Sequence, residues 1–447
     1  MSRIIKKLDS YIEIDRIFSV FKDEENAVFL DSSLQNSLGE FSIIGIHPYL
    51  TVINSEKLHV DGEASEMTFE EYMRVYLKEN YEENTTDLPL VSGAIGYLSY
   101  DYGRELENVE TVHQNTTDMP SCFFAFYDDF IIENHKNKEV YLVANGKLID
   151  SGDAIRNMEK MLTELESEEE ESLPGQIEVR PNFEKQEYLK AIDRMIQYII
   201  EGDIYIANLT QRLEIRSRKQ PYEAFRKLRR INPSPFGAYM NYGDFQIVCA
   251  SPERFIRMKN GHIETRPIKG TRKKGSTPEE DAALKEELQN SEKDKSELLM
   301  IVDLERNDLN KVCKEGSVKV TELFTVEEYA TVYHLVSNIV GEIQEGLNAV
   351  DLITAAFPGG SITGAPKKRA IEIIDELENG RRDLYTGSLG YISMDGSCDL
   401  NIVIRTALYK DGVYSLGVGG GITYESELEF EYEETLQKAK AILDALS

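Results

Sequence analysis

The first 150 residues alternate short apolar runs with turn residues, a pattern that predicts β-strands. The runs lie at 27–33, 41–53, 91–103 and 139–146. Apolar residues with helical spacing predict helices over 69–77 and 153–165. This part of the chain is therefore expected to contain both strands and helices.

The remainder of the chain shows the same mixture. Residues 185–201 place Tyr188, Ile192 and Ile199 on one helical face, and Gly202 ends the helix. Further strands are predicted at 204–215 and 245–258, and further helices at 296–312 and from 423 onward. The fold class indicated is mixed α/β, with a large share of antiparallel strand.

One stretch interrupts this pattern, residues 164–175, with the sequence ELESEEEESLPG. Its six glutamates repel one another, and a Pro-Gly pair follows them. We interpret the stretch as a solvated helix end that passes into a linker; an interaction tail is the alternative.

Charge narrows the possible partners. The 447 residues include 50 Lys and Arg but 80 Asp and Glu, a formal net charge of −30. Nucleic acids and anionic membrane surfaces are therefore not expected as partners, because both require a basic face. Long-range steering of an anionic substrate would also be repulsive.

Targeting and cysteine patterns indicate a cytoplasmic protein. The N-terminal residues lack the apolar core of a signal peptide, and no apolar run approaches the roughly 18 residues of a membrane span. The cysteines, Cys122, Cys249, Cys313 and Cys398, are far apart and form no CxxC pair. They predict reduced, mostly buried thiols rather than a zinc site or a disulfide framework.

Two pairs of acidic residues have helical i,i+3 spacing, Asp294 with Glu297 and Glu431 with Glu434. Carboxylate oxygens are the ligands that Mg²⁺ prefers, so the two helices could share a magnesium site. Solvated helix faces are the alternative in a chain this acidic.

Glycine-rich segments and one lysine suggest a binding site. Residues 357–374 place a Gly-Gly turn before a helix, with Ser361 or Thr363 near its N-terminus, and Lys367 to Arg369 add positive charge. Residues 416–426 contain three adjacent glycines, which let backbone approach a ligand closely, although tight turns are equally compatible. Lys269, between Ile268 and Gly270, could be a partly desolvated nucleophile or an exposed loop lysine.

Seven blocks between about Phe183 and Leu446 resemble the chorismate-utilising enzymes. That family includes component I of anthranilate synthase and of aminodeoxychorismate synthase, and the isochorismate and salicylate synthases. The blocks are SPERF (251–255), RPIKGTR (266–272), ELLMIVDLERNDL (297–309), HLVSNIVGEI (334–343), FPGGSITGAPK (357–367), GYISMDGSCDLNIVIRTA (390–407) and GGGITYES with EYEET (419–435). The N-terminal half resembles the family's amino-terminal region through FLDSS (29–33) and GAIGYLSYDYG (93–103).

The resemblance implies the family's fold, a large two-lobed α/β (α+β) unit of two packed, mainly antiparallel sheets with outer helices. It implies an N-terminal region over 1–165 of the type found in the aminating branches. An acidic linker over 166–182 and a chorismate-binding catalytic domain over 183–447 would follow. The two lobes are not expected to fold independently.

The family's residue roles transfer position by position. The implied catalytic residues are Lys269, Glu253 as general acid, and His334. The implied substrate contacts are Arg405, Ser361, Thr271, Tyr391, Gly419, Gly420 and Gly421. The implied Mg²⁺ ligands are Glu297, Glu431 and Glu434, with Asp294 as a further position. A dication there would offset the repulsion of an anionic substrate.

Two positions indicate the reaction. Water-adding relatives carry a lysine in the strand after the Gly-Asp turn, whereas residues 204–215 contain none. Anthranilate synthases usually have PIAGT, and aminodeoxychorismate synthases have PIKGT, as at 267–271 here. In that branch the lysine attacks C2 of chorismate as the 4-hydroxyl leaves, and ammonia then enters at C4 and expels the lysine. The implied product is 4-amino-4-deoxychorismate, for p-aminobenzoate and folate synthesis.

A separate glutamine amidotransferase subunit is expected to supply the ammonia, because no GxCxG-type turn surrounds any of the four cysteines. Anthranilate synthase component I, which forms anthranilate and pyruvate, stays open as an alternative. A non-catalytic chorismate-binding regulatory subunit is a second alternative, although it should have lost at least one of the residues named above.

The chain departs from relatives that sense tryptophan. FLDSS and PSPFGAYM stand where those anthranilate synthases have LLES and PSPYM, so tryptophan feedback is not expected. Ile206 replaces a glutamine that is common in the family, and nothing in the sequence explains it.

Overall fold

The computed structural model describes residues 2–163, 165, 175–329 and 332–447. Most of the acidic stretch 164–175, and with it part of the predicted linker over 166–182, lies outside the described residues. The predicted domain boundaries therefore stay predictions.

Most of the predicted helices are present, with ends shifted by a few residues. The described helices are α1 (Ile14–Phe18), α2 (Phe69–Glu79), α3 (Tyr100–Leu106), α4 (Ser151–Thr163), α5 (Lys185–Glu201), α6 (Pro221–Ile231), α7 (Pro278–Asn290), α8 (Glu292–Asn310), α9 (Ala349–Ala356), α10 (Lys367–Leu377) and α11 (Leu428–Leu446). A short 3-10 turn covers Gly360–Ile362.

The strands alternate with these helices along the whole chain. They are β1 (Ile4–Lys7), β2 (Val28–Asp31), β3 (Phe41–Asn54), β4 (Leu58–Val60), β5 (Glu63–Ala64), β6 (Gly93–Leu98), β7 (Cys122–Asn134), β8 (Glu139–Ala144), β9 (Glu178–Pro181), β10 (Ile206–Arg216), β11 (Phe236–Asn241), β12 (Phe245–Ser251), β13 (Arg254–Lys259), β14 (His262–Thr265), β15 (Ile268–Lys273), β16 (Lys319–Glu328), β17 (Val332–Glu342), β18 (Gly364–Ala365), β19 (Ser388–Ser393), β20 (Cys398–Asn401), β21 (Thr406–Lys410) and β22 (Val413–Ile422).

The predicted strand over 91–103 is wrong at its C-terminal end. Strand β6 stops at Leu98, and the side chain of Ser99 accepts a hydrogen bond from the Tyr102 backbone, which caps α3. Likewise the strand predicted at 245–258 is two strands, because Pro252 and Glu253 interrupt the ladder between β12 and β13.

The predicted fold class is confirmed: the described chain is mixed α/β with an extensive antiparallel sheet. Hydrogen bonds connect its strands into one continuous network. Strands of the two halves pair directly, β2 with β11 and β6 with β19, where Leu98 lies opposite Ser388. Apolar side chains of both halves share the interior, as in the contacts of Phe29 with Phe225.

The cysteines and the helices can also be compared with the sequence-based expectations. All four cysteines are buried and free of disulfides. Within the described residues, no helix is long and apolar enough to cross a membrane.

A buried arginine connects three segments of the C-terminal half. The guanidinium of Arg382 donates to the backbone oxygens of Asn208 on β10 and Ile362 in the 3-10 turn, at 2.5 and 2.8 Å. It also pairs with the buried Glu378 carboxylate at 2.6 Å, and Glu378 accepts from the Thr210 backbone. The arrangement fixes the glycine-rich turn against β10.

Replacing Arg382 with methionine should lower the free energy of unfolding by about 3–5 kcal/mol, because it leaves the Glu378 charge buried without its counter-ion. Chemical denaturation followed by circular dichroism measures the change. Arg216→Met, at an exposed position at the end of β10, serves as the control and should cost about 0.5 kcal/mol or less. Equal stability of the two variants would contradict the role assigned to Arg382.

Candidate active site

The three glycines of β22 form the floor of the candidate site. Strand β22 pairs with β10, which places Gly419 to Gly421 opposite Thr210, Leu209 and Asn208. A methyl group on Gly419 would lie 2.6 Å from the Leu209 carbonyl oxygen, so no side chain fits there. Glycine is thus required for the close strand contact.

Three carboxylates face the two following glycines. A methyl group on Gly420 would lie 3.3 Å from Glu431 Oε2 and 3.6 Å from Glu434 Oε1, and one on Gly421 would lie 3.8 Å from Glu297 Oε2. Helices α8 and α11 therefore bring together the acidic residues that the sequence placed on separate helices.

Burial and mutual repulsion shape the acidity of this cluster. Burial raises the pKa of Glu297 to about 7, and the Glu431 charge acts in the same direction. Burial likewise raises the pKa of Glu431, with a contribution from Glu434. Although partial burial acts to raise the pKa of Glu434 as well, Lys438 holds the pKa of that carboxyl below its usual range.

The donor chemistry of the cluster suits Mg²⁺, which takes several carboxylate oxygens and keeps part of its water shell. Two of the glutamates already have protein partners. Lys438 lies 2.6 Å from Glu434, Lys293 lies 3.7 Å from Glu431, and Ser426 donates a hydrogen bond to Glu431 at 2.7 Å. No group of three or more acidic, histidine or cysteine side chains encloses a metal position within the described residues. The three glutamates fit the ion in type and proximity, and binding would require them to turn from these partners.

Asp294, the fourth acidic position, lies beside this cluster and against β15. It pairs with Arg272 at 3.1 Å, and its charge raises the pKa of Glu297 together with burial. Gly270, with φ of +68°, makes room for it, since a methyl group there would lie 2.8 Å from Asp294 Cγ.

Lys269 reaches the same space from β15. Its amine donates to the backbone oxygen of Ser361 at 3.0 Å and would lie 3.4 Å from a methyl group on Gly421. The charge of Lys269 acts on Glu253, Glu297 and Glu434. The lysine therefore lies within the carboxylate cluster and is not an exposed loop residue.

Glu253 lies in the connection between β12 and β13, 5% exposed. Burial raises the pKa of Glu253, although a hydrogen bond with Ser361 and the Lys269 ammonium oppose the shift. A carboxyl group whose pKa is raised holds its proton to a higher pH, as a general acid requires.

His334, Thr271 and Arg405 form the other side of the site. The Thr271 hydroxyl lies 2.9 Å from His334 Nδ1, while His334 Nε2 is buried with no hydrogen-bond partner in the described part of the chain. Burial, and then the Arg405 charge, lower the pKa of His334 to about 3. The imidazole is thus neutral at physiological pH, and Tyr329 packs edge-on against it at 4.9 Å.

Arg405 has a left-handed backbone conformation that is uncommon for residues other than glycine, with φ of +50°. Burial lowers its pKa, and Tyr329 and Glu253 only partly oppose this. None of the ion pairs between described residues involves Arg405. Its guanidinium is available to a ligand carboxylate, for which its planar fork is well suited.

Tyr391 is not part of this cluster. It lines a separate cavity of about 260 Å³ together with Arg254, Asp31 and Asp399. It lies on β19, which pairs with β6 of the N-terminal half. The structure therefore separates Tyr391 from the other substrate contacts that the resemblance implied.

Two expectations for the glycine-rich segment 357–374 need correction. Ser361 lies in the 3-10 turn, whereas α10 begins only at Lys367, so Ser361 is not at a helix N-terminus. Lys367 is also not a free cation, because its amine is buried against Asp308 at 2.6 Å and the Ala356 backbone oxygen at 2.8 Å. Its charge serves the packing of α10 on α8.

Sequence reasoning missed Lys438, which donates to the Gly419 backbone oxygen at 2.8 Å while pairing with Glu434. The i,i+4 spacing from Glu434 was a usable signal, since it places both side chains on one face of α11. It also missed Tyr329 and Lys293. Nothing local in the sequence distinguishes these two from surface residues.

Comparisons with known proteins agree with this site. A family model described as "chorismate binding enzyme" matches residues 25–444. The aminodeoxychorismate synthase component 1 of Bacillus subtilis is 39% identical over 91% of this chain and 89% of its own length. The anthranilate synthase component 1 of Acetivibrio thermocellus is 35% identical over 98% and 94%. The crystal structure of anthranilate synthase component I from Streptococcus pneumoniae superposes with a TM-score of 0.82, at 30% identity, covering 92% of this chain and 93% of that one.

The ring of His334 should remain neutral from pH 8 down to pH 5, because its pKa lies near 3. Nitrogen-detected NMR of the six histidines measures this directly. His47 provides the internal control: its hydrogen bond to Asp129 raises its pKa above the usual 6.5, so it should already be protonated at pH 5. Protonation of His334 near pH 6.5 would contradict the buried environment described here.

Proposed function

The chain belongs to the family of chorismate-binding enzymes, and from that premise we propose that it is the synthase subunit of an aminodeoxychorismate synthase. It would convert chorismate and ammonia to 4-amino-4-deoxychorismate, a precursor of p-aminobenzoate and folate, in the cytoplasm. The observation that carries the proposal is the position of Lys269, whose amine lies among Glu253, Glu297, Ser361 and Gly421.

The relatives support this proposal and leave a second candidate. The 39% identical relative is named an aminodeoxychorismate synthase component, and the 35% identical relative is named an anthranilate synthase component. Identity alone does not separate the two reactions. The lysine at 269 favours the first, because anthranilate synthases of the family usually have alanine at this position.

The proposed chemistry exchanges the 4-hydroxyl of chorismate for an amino group in two displacements. The Lys269 amine, after losing its proton to solvent, forms a bond to C2 while the two conjugated ring double bonds shift and the C4–O bond breaks. Glu253 gives its proton to the departing oxygen, which leaves as water. Ammonia then bonds to C4, the C2–N bond breaks, and the lysine amine is regenerated. A proton from the new ammonium group restores Glu253.

Substrate binding would use the groups that lack strong partners of their own. Arg405 would bind a carboxylate of chorismate through its two parallel N–H groups. Thr271 holds the His334 ring through Nδ1, which leaves the unpaired Nε2. That nitrogen would contact the ring of the substrate. The Gly-rich strand and Ser361 would add backbone and hydroxyl contacts.

Mg²⁺ would be held by Glu297, Glu431 and Glu434, with Asp294 beside them. When bound, it supplies positive charge at the ring carboxylate of the substrate. The lysines that now pair with these carboxylates, Lys293 and Lys438, occupy the same region and would move toward solvent or toward the substrate.

A glutamine amidotransferase subunit would supply the ammonia. The relatives are named as component 1 of their enzymes, a name that is consistent with a second component. We therefore include the amidotransferase partner in the proposal. We also propose that the chain uses free ammonia when the partner is missing.

The product identifies the reaction. Incubation of the purified chain with chorismate, Mg²⁺ and ammonium should yield 4-amino-4-deoxychorismate by mass spectrometry, and chelation of the metal should stop its formation. Anthranilate and pyruvate would establish the second candidate instead. No turnover under these conditions, with chorismate still bound, would support a non-catalytic subunit.

Lys269→Ala should remove a covalent adduct between protein and substrate and lower turnover by about 100-fold or more, the scale expected when one reacting group is lost. Intact-protein mass spectrometry after rapid quenching detects the adduct, with ammonia omitted so that it accumulates. Lys273→Ala, exposed on the same strand, is the control and should behave as the unaltered chain. Full turnover in Lys269→Ala would exclude the lysine as nucleophile without excluding the enzyme.

A further inference from the structure

A further glutamate, Glu305, lies within the candidate site but has no role in the chemistry described above. It is about two helical turns beyond Glu297 on α8. Gly360 packs directly over it, since a methyl group on Gly360 would lie 3.5 Å from Glu305 Cγ and 2.9 Å from Leu304 Cδ2. Glu305 thus lies beneath the turn that contains Ser361, the hydrogen-bond partner of Glu253.

The hydrogen bonds of Thr265 indicate that Glu305 carries a proton. Thr265 Oγ1 lies 2.7 Å from the Phe255 backbone oxygen and 3.0 Å from Glu305 Oε2. A hydroxyl has one hydrogen to donate, and a backbone oxygen can only accept. The shorter contact takes that hydrogen, so the longer one is a hydrogen bond only if Glu305 donates.

The charges around Glu305 favour the same protonation state. Although part of the residue is exposed, its carboxyl group lies deep among protein atoms. This burial, with the charge of Asp308 and that of Glu253 once Glu253 is ionised, raises the pKa of Glu305 to about 8. Thr265 could support the ionised form only by turning its hydrogen away from Phe255.

The ammonium of Lys367 gives Glu305 only partial compensation. Lys367 opposes the rise in the pKa of Glu305, but its ammonium contacts Asp308 at 2.6 Å and the Ala356 backbone oxygen. Lys311 also pairs with Asp308, at 2.9 Å. The cations on this side of the site are therefore directed at Asp308, and Glu305 avoids an uncompensated charge by keeping its proton.

We propose that Glu305 is a positioning residue that holds a proton next to Glu253, and that its ionisation ends activity at alkaline pH. The inference rests on the proposed function, in which Glu253 is the general acid. A negative Glu305 would oppose the binding of a dicarboxylate substrate. It would also strengthen the hold of Glu253 on its proton, since the two carboxyls titrate as a coupled pair. Neutral Glu305 avoids both effects.

The pH dependence of kcat/KM for chorismate tests the proposal, because it reports groups in the free enzyme. Measured at a constant concentration of free ammonia, it should fall roughly tenfold per pH unit above a pKa near 8. Glu305→Gln retains the size and the donor toward Thr265 but cannot ionise. That variant should keep the activity of the unaltered chain at pH 7 within about twofold. It should lose the fall near pH 8 and keep only the fall that ionisation of Glu253 itself causes.

A second readout does not depend on turnover. Infrared difference spectra between pH 7 and pH 10 should show loss of the carbonyl band of a protonated carboxylic acid, and the band should be smaller in Glu305→Gln. Glu305→Met, which also cannot titrate, replaces the glutamine variant if that variant does not fold. Asp303→Asn, on an exposed side chain of the same helix that pairs with Arg306 at 2.9 Å, should leave both readouts unchanged.

The two readouts separate the possible failures. An unchanged alkaline fall and an unchanged infrared band in Glu305→Gln would overturn the proposal. Loss of activity at every pH would also overturn it, because Glu305 would then act in the chemistry itself. If the chain forms no aminodeoxychorismate, the infrared band still reports whether Glu305 holds its proton, so failure of the proposed function is recognised separately.

Discussion

The buried ion pair between Arg382 and Glu378 determines the geometry of everything around the candidate site. Its guanidinium holds the backbone oxygens of Asn208 and Ile362, and its carboxylate holds the Thr210 backbone. These contacts fix β10 against the turn that contains Ser361, while β10 in turn fixes the glycines of β22. The ion pair is costly to desolvate, and its several backbone hydrogen bonds offset that cost. Functional side chains on distant segments thereby share one rigid frame.

The same frame explains how a chain with a net charge of −30 can accommodate an anionic ligand. Close to the site, Lys269, Lys293 and Lys438 lie among the carboxylates, and Arg405 is left without a partner in any ion pair between described residues. Burial strengthens these local interactions relative to the screened charges of the surface. Local compensation, rather than net charge, therefore determines which ligand is admitted.

Sequence patterns predicted those parts of the site that depend on local spacing or on motifs. The i,i+3 spacing placed Glu431 and Glu434 on one face of α11, and the PIKGT motif identified Lys269. That α8 and α11 meet over the same glycines could not be predicted from spacing, because it depends on pairing between strands far apart in the chain. Burial of individual side chains could not be predicted either. The sequence indicated Lys367 as positive charge near a binding turn, whereas in the fold its amine is buried against Asp308. The motif around Tyr391 implied a substrate contact, yet Tyr391 lines another cavity.

The direct pairing of β6 with β19 has a consequence for synthesis of the chain on the ribosome. Strand β6 is flanked by β7 on one side, and its other neighbour, β19, spans residues 388–393. Until those residues emerge from the ribosome, β6 presents a free edge of unpaired backbone groups, the kind of edge that recruits other chains. The N-terminal half therefore remains an incomplete folding intermediate until β19 has been made, and the sheet cannot close before then.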